Sequence, residues 1–326
     1  MRFETDRMHG GGSRRRPGET ARIVNAVHSI EDVERLLAGQ KYVADRDLAV
    51  SIFLALTLHK PLFLEGEAGV GKTEVAKVLA AGLGRRLIRL QCYEGLDVSH
   101  ALYEWNYAKQ ILHIRLAEGK TRESGEPSVE REIFSPEFLI KRPLLQAIED
   151  SDEQPAVLLI DEIDRADEEF EAFLLEILSD FQVTVPEIGT FTAKRKPMVV
   201  LTSNRTREVH DALKRRCLYY WIDYPSVDRE AEIVESKVPG IERRLAREAC
   251  AYVAALRSEP FFKAPGVAET IDWASALIAL GRTSLDERVV AETIGCVLKY
   301  QEDVKRARET NASGRIEQSR KVAARA

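Results

Sequence analysis

Along the middle of the chain, short apolar runs that end in polar or glycine-rich residues alternate with stretches whose apolar residues recur every three to four positions. Leu48, Ile52, Ala55, Leu56 and His59 share one helical face. Residues 61–65 then make a short apolar strand that runs into a glycine-rich turn, and residues 73–83 return to the helical period with Val75, Val78, Leu79 and Leu83 on one stripe. Further strands are predicted at 87–90, 157–160, 198–202 and 217–222, with intervening segments long enough for crossover connections. One crossover is a helix whose core face carries Phe170, Phe173, Leu174, Ile177, Leu178 and Phe181. This alternation predicts an α/β fold, a parallel sheet with helices on both faces. Residues 181–185 and 190–194, joined across Pro186 and Gly189, predict a hairpin projecting from the sheet edge. Beyond Pro225 only helical patterns remain, at 230–237, 241–257, 271–280 and 287–304, which predicts a small all-helical domain.

These patterns divide the chain into four parts: a disordered basic arm over 1–24, an αβα domain over 25–226, a small helical domain over 227–305 and a fraying polar, basic tail over 306–326. With 326 residues, a large and a small domain are expected, since single cores rarely grow past about 250 residues. The formal charge of -5 gives no global attraction to nucleic acid, which is therefore not an expected partner. No apolar run approaches the roughly 18 residues of a membrane span. Cys92, Cys217, Cys250 and Cys296 form no C-x-x-C pair, so neither a disulfide framework nor a zinc knuckle is indicated, and a cytoplasmic location is expected.

The turn after the first strand reads Gly66-Glu67-Ala68-Gly69-Val70-Gly71-Lys72-Thr73, which fits G-x-x-x-x-G-K-[ST] at every fixed position and sits between a strand and a helix. Glycines let the main chain wrap a phosphate chain so that N–H groups and the helix N-terminus face the anion. Lys72 is expected to reach the β- and γ-phosphates of ATP and the Thr73 hydroxyl to hold Mg2+, with Glu74 closing the binding segment. The strand at 157–160 ends in Asp161-Glu162; Asp161 is placed to bind magnesium directly or through water, and Glu162 to polarise the attacking water. Asn204 ends the next strand and can orient that water. Lys214-Arg215-Arg216 precedes the last strand, too far round the sheet to serve its own phosphates, and suits an arginine finger pushed into a neighbour's site. That predicts an obligate homo-oligomer.

The set 66-GEAGVGKT-73, 157-VLLIDEIDRA-166, 201-LTSN-204 and 212-ALKRRC-217 resembles the AAA+ P-loop fold, and the DEIDRA form resembles the MoxR family, over roughly residues 40–300. Within that family 102-LYEWNYAKQ-110, 138-FLIKRPLLQAI-148, 204-NRTREVHDALKRRCLYYWIDYP-225 and 266-GVAETIDWASAL-277 look like the CoxD-like subgroup. The resemblance implies a Mg-ATP-hydrolysing remodelling chaperone in a homo-oligomeric ring, expected to be a hexamer. It further implies a von Willebrand factor A domain partner and, as client, a molybdenum hydroxylase of the carbon monoxide dehydrogenase type. Position by position it assigns Lys72 and Thr73 to phosphate and magnesium, Asp161 and Glu162 to the second acidic motif, Asn204 to the first sensor, Arg216 before Arg215 to the finger, and Tyr42 and Val43 to main-chain contacts beside the adenine. The family also uses elements like the 181–194 hairpin, and the segment before Glu137, as ring-facing surfaces. One departure stands out: where many relatives carry a lid arginine after Ser-Pro, this chain reads Glu269-Thr270-Ile271-Asp272-Trp273, and an aspartate cannot neutralise a γ-phosphate. Competing expectations are a nucleotide-gated scaffold that releases little phosphate and a DNA-directed motor on the same ATPase plan; a small P-loop kinase gives no reason for a trans-directed arginine or a helical lid.

Overall fold

Three strands of the central sheet are buried along their whole length: β1 (Leu62–Gly66), β5 (Val157–Asp161) and β8 (Met198–Ser203). Unbroken apolar runs of that kind need cover on both faces, which a parallel sheet with crossover helices supplies. A computed structural model describes residues 27–118, 129–149, 154–310 and 312–324. The arm expected over 1–24 lies outside them. Strands β2 (Leu87–Gln91) and β9 (Leu218–Ile222) complete a five-stranded, all-parallel sheet in the order β2-β5-β8-β1-β9. Two small antiparallel sheets stand apart from it, the distant pair β3 (Tyr103–Trp105) with β4 (Leu139–Lys141) and the hairpin β6 (Gln182–Val185) with β7 (Gly189–Thr192). The second is the hairpin expected between 181 and 194.

Because successive strand residues point to opposite faces, the sheet sorts its side chains into two cores. Phe63, Leu158, Ile160, Val199 and Leu201 face the helices Pro143–Glu149 and Glu168–Asp180. Leu62, Leu64, Val157, Leu159 and Val200 face the helices Ile30–Gly39, Arg46–Leu58 and Lys72–Leu83. Phe181, expected as the last residue of a helical face, is buried but sits in the left-handed region (φ 51°) and caps the helix Glu168–Asp180, turning the chain into the hairpin.

After β9 the chain is helical: Val227–Lys237, Arg243–Arg257, Val267–Ala279, Glu287–Thr293, Gln301–Glu309 and Ala312–Ala323. Trp273, fully buried, anchors their core, lies with its ring 5.5 Å from that of Tyr252 and donates its indole N–H to Thr293 Oγ1 at 2.7 Å. Two expectations need correction. The single helix over 287–304 is broken into a helix, a 3-10 turn over Ile294–Cys296 and a second helix, with Tyr300 extended (φ -114°, ψ 135°) at the second start. The polar tail over 306–326 is instead helical over Gln301–Glu309 and Ala312–Ala323, and Ile316, Ser319 and Arg315 are buried. The physical reason is a buried guanidinium: Arg315 closes the carbonyls of Ala307 (2.6 Å) and Thr310 (2.7 Å) and pairs with Glu259, so few apolar side chains are needed to dock the last helix.

A second buried ion pair joins the lid helices. Arg257 holds Glu230 through both nitrogens, at 2.6 and 2.7 Å, with Glu230 wholly enclosed. Removing the cation alone strands a buried carboxylate. The expected outcome for Arg257→Met is a loss of about 3–5 kcal/mol in chemical denaturation, with partial recovery when Glu230→Gln is added. A single variant as stable as the parent would show that the pair is not essential to the lid.

Candidate active site

The P-loop takes its shape from residues that tolerate unusual backbone. Gly69 (φ 78°) and Gly71 (φ 97°) lie in the left-handed region, and Gly71 caps the helix Lys72–Leu83. At Gly66 a Cβ would stand 2.3 Å from the Ile222 carbonyl of β9, so only glycine lets the loop leave the sheet there. Lys72 is buried and folds back over the loop, donating to the carbonyls of Gly66 (2.8 Å) and Glu67 (2.6 Å). Burial pushes its ammonium down to about 8, against the pull of Asp164, Glu67, Asp161 and Glu162.

Opposite the loop, Asp161 ends β5 with its carboxylate fully engaged. Oδ1 accepts from the hydroxyls of Thr73 (2.9 Å) and Thr202 (2.6 Å), and Oδ2 accepts from Arg89 Nε (3.0 Å) and Nη2 (2.6 Å). Thr202 also receives the Glu162 main-chain N–H at 3.0 Å. Glu162 is left-handed (φ 56°), a conformation worth of order 1–2 kcal/mol of strain for a residue with a Cβ, and its half-buried carboxylate makes no hydrogen bond among the described residues. Asn204 follows β8; its N–H donates to Asp164 Oδ1 at 3.2 Å, and its side-chain amide has no hydrogen-bond partner among the described residues. Asp164, buried, also accepts from the N–H (2.8 Å) and hydroxyl (2.6 Å) of Thr206, which pins the loop after β8.

A hydroxyl and a carboxylate oxygen 2.9 Å apart beside a phosphate-type loop are hard oxygen donors of the kind magnesium takes, so Thr73 and Asp161 fit the ion. Among the described residues there is no cluster of three or more His, Cys, Asp or Glu that could hold a metal unaided. An ion shared between one or two protein oxygens and nucleotide phosphates is the arrangement magnesium commonly adopts. The cysteines offer no nucleophile: all four are free, and burial pushes the Cys92 and Cys217 thiols up to about 12.

Beside the loop lies a cavity of about 670 Å³ between sheet and lid, whose lining includes Tyr42, Val43, Gly69, Gly71, Tyr224 and Ile271. Tyr42 and Val43, expected beside the adenine, thus line the same cavity as the loop. Val43's carbonyl accepts from Arg229 of the lid at 3.0 Å, and Lys237 of the lid pairs with Glu74 at 3.0 Å. Arg215 and Arg216 are not part of this site. Both are exposed at the start of β9, where Arg216 Nη1 donates to the Leu175 carbonyl at 2.8 Å. Leu62 pairs with Leu218 and Gly66 with Ile222, so the loop and the arginines stand at opposite sheet edges, four residues or about 13 Å of strand apart. Asp272 is exposed on the lid. Arg89, Thr202 and Asp164 belong to the site although the sequence does not single them out; Arg89 reads as an ordinary polar position of a half-buried strand, and only pairing across β2, β5 and β8 brings it to Asp161.

Residues 61–217 match the AAA domain family, dynein-related subfamily. No curated protein sequence matches the chain. Among solved structures, a point mutant of Thermotoga maritima RuvB is similar with 16% identity and a TM-score of 0.44, covering 85% of this chain and 72% of that one. A Cytophaga hutchinsonii protein whose ATPase assignment is itself provisional is similar with 14% identity and a TM-score of 0.45, over 90% and 93% of the two chains. The AAA domain is an ATP-hydrolysing P-loop domain that uses ATP and Mg2+. Among the described residues no helix is long and apolar enough to cross a membrane.

The depressed Lys72 ammonium generates a pH effect. Between pH 8 and 10.5 the nucleotide-free fold holds Lys72 mostly neutral while the unfolded chain holds it charged, so this group's contribution to stability rises with pH through that window. Bound phosphate favours the charged form. Calorimetry of ATP binding at pH 9 in buffers of different ionisation enthalpy is expected to show uptake approaching one proton, shrinking towards pH 7 and absent in Lys72→Met. Equal proton uptake in that variant would remove Lys72 from the phosphate site.

Proposed function

We propose that this AAA+ ATPase works as a ring-forming remodelling chaperone in which Lys72 and the loop from Gly66 to Thr73 hold the triphosphate. In this reading Thr73 and Asp161 hold magnesium, Glu162 activates water, Asn204 orients it and Arg216, with Arg215 as substitute, completes the neighbouring subunit's site. The observation that carries the reading is the opposition of two halves of one machine: an acid-lined cradle at the carboxyl edge of the sheet and exposed arginines at the other. Bound magnesium offsets phosphate charge; the chain's own residues bind, orient and take the proton. Glu162 is suited to the base role because its strained main chain holds a carboxylate beside Asp161 that no other described group engages. A guanidinium supplied from a neighbour can raise turnover by ~10³ to 10⁵.

The finer reading is a MoxR-type, CoxD-like maturation factor acting with a von Willebrand factor A partner on a molybdenum enzyme. It is supported by the quoted segments and by the helix Tyr107–Glu118, where Tyr107, Ile111, Leu112 and Leu116 are each at least 60% exposed. Contiguous exposed apolar side chains of this kind mark interaction surfaces. That helix lies before Glu137, in the part of the chain where the resemblance places a ring-facing segment.

Subunit mixing tests the shared site. Glu162→Gln is expected to retain ATP binding and lose turnover by at least about hundredfold, and Arg215→Ala/Arg216→Ala to be similarly inactive. Mixed rings should regain turnover, because a subunit with intact Glu162 can receive arginines from a Glu162→Gln neighbour. Two inactive proteins that never complement, or a fully active arginine variant, would refute the trans arrangement. Capture of only nucleic acid by the Glu162→Gln protein would refute the maturation role.

A further inference from the structure

The lid of this chain lacks an arginine where the second sensor is expected, yet the start of its helix Val267–Ala279 is docked on the P-loop. The Gly69 carbonyl accepts two main-chain N–H groups from it, Val267 at 3.1 Å and Ala268 at 3.3 Å. Those are among the N–H groups a helix start leaves without an internal partner. The approach is close enough to exclude a side chain at Gly266 and to crowd one at Gly69. A Cβ on Gly266 would stand 2.6 Å from the Ala68 carbonyl oxygen and 2.9 Å from Gly69 Cα, and one on Gly69 would stand 3.2 Å from Gly266 Cα. Glu269 closes the corner by accepting the Gly266 N–H at 2.9 Å.

We propose that the lid senses nucleotide through the P-loop main chain, with the Gly69 carbonyl and the Val267 and Ala268 N–H groups standing in for a cationic side chain and Gly266 as the obligatory close-approach residue. The inference rests on the ATPase reading of the loop. Its physical basis is the peptide plane. In a trans peptide the carbonyl and the following N–H point in opposite directions, so a Gly69 carbonyl held by the lid turns the Val70 N–H away from it. Main-chain N–H groups of this loop are the ones that cradle phosphate. One planar unit therefore has the lid on its oxygen and the ligand-facing donors on its nitrogen side, and hydrogen bonds at the two ends polarise each other.

The start of the lid helix is itself held in place. Arg257 donates to the Pro265 carbonyl at 2.7 Å, pairs with the buried Glu230 and stands 4.4 Å from the Tyr224 ring centroid at the exit of β9. Thr270 donates to Glu230 at 2.6 Å and to the Gly266 carbonyl at 3.2 Å. Arg257, Glu230 and Thr270 are thus positioning residues, fixing Pro265 and Gly266 so that the helix start meets Gly69.

Val267 offers a clean test, because the first residue of a helix tolerates proline and the preceding Gly266 is extended (φ -85°, ψ -179°). Val267→Pro deletes one donor to Gly69 while keeping the helix; Val267→Ala trims the side chain and keeps the donor. ATP affinity and turnover are measured on the full chain, with melting curves as the folding check and amide exchange across 264–272 followed with and without ADP. Val267→Pro is expected to weaken ATP binding about three- to tenfold and to erase the nucleotide dependence of exchange, whereas Val267→Ala, which keeps the donor, retains that dependence. Gly266→Ala should cost at least about tenfold. Parental affinity and exchange in Val267→Pro would overturn the proposal, as would loss of the response in Lys237→Met but not in Val267→Pro, since Lys237 is a lid cation that reaches Glu74. A parent protein without turnover would instead implicate the ATPase reading.

Discussion

A single buried carboxylate organises the reactive edge of this molecule. Asp161 ends an apolar strand where an uncompensated charge would be expensive, and four donor atoms from three residues offset that cost: the hydroxyls of Thr73 and Thr202 and two nitrogens of Arg89. Each residue comes from a different element, the P-loop helix, β8 and β2. The charge thus sets the spacing of the strands against the loop as much as the apolar packing below it does. Glu162 inherits its geometry from the same knot, since its left-handed main chain is held by the hydroxyl of Thr202 that also serves Asp161. An ion bound between Thr73 and Asp161 would exchange their hydrogen bond for coordination by the same two oxygens.

That edge is largely legible in the sequence because its parts are local. The cradle is eight consecutive residues, the acids end a recognisable strand, and burial of whole strands follows from runs such as residues 157–160. What stays hidden is what depends on pairing between distant segments. Arg89 reaches Asp161 across 72 positions and Thr202 across 41. Neither residue type carries a pattern that distinguishes this use from an ordinary strand position. The last helices escape the sequence for a related reason: Arg315 replaces apolar burial with carbonyl capping, and hydrophobic periodicity is blind to that. The break in the expected helix over 287–304 likewise arises from main-chain conformation around Gly295 and Tyr300, not from a change in composition.

The sheet also fixes which sites a single subunit can and cannot complete. Parallel strands put all carboxyl ends on one edge, so the loop after β1 and the acids after β5 meet automatically, with Asn204 just beyond β8. The same parallelism sends whatever precedes β9 to the other edge. Arg216 is held there by the Leu175 carbonyl, on a short helix packed against the helix Glu168–Asp180. Its distance from its own cradle follows from strand length and cannot be closed by a side-chain rotation. A cation at that place can act on a phosphate only if the phosphate belongs to another copy.

The lid contact adds a division of labour to this separation. A lid arginine responds to charge, and therefore distinguishes a triphosphate from a diphosphate by the terminal group it touches. A lid held by a main-chain carbonyl responds instead to the posture of the loop, which wraps the β-phosphate common to both nucleotides. On the proposed reading, lid closure of that kind would follow occupancy, and the task of telling ATP from ADP would pass to the groups assigned to the terminal phosphate, Asn204 within the subunit and the arginines of a neighbour. The Arg257–Glu230 pair fits this arrangement, since it holds Pro265 and so keeps the start of the lid helix against Gly69. If the proposed trans arginines act as assigned, hydrolysis would be read between subunits, and the lid would report only whether the cradle is filled.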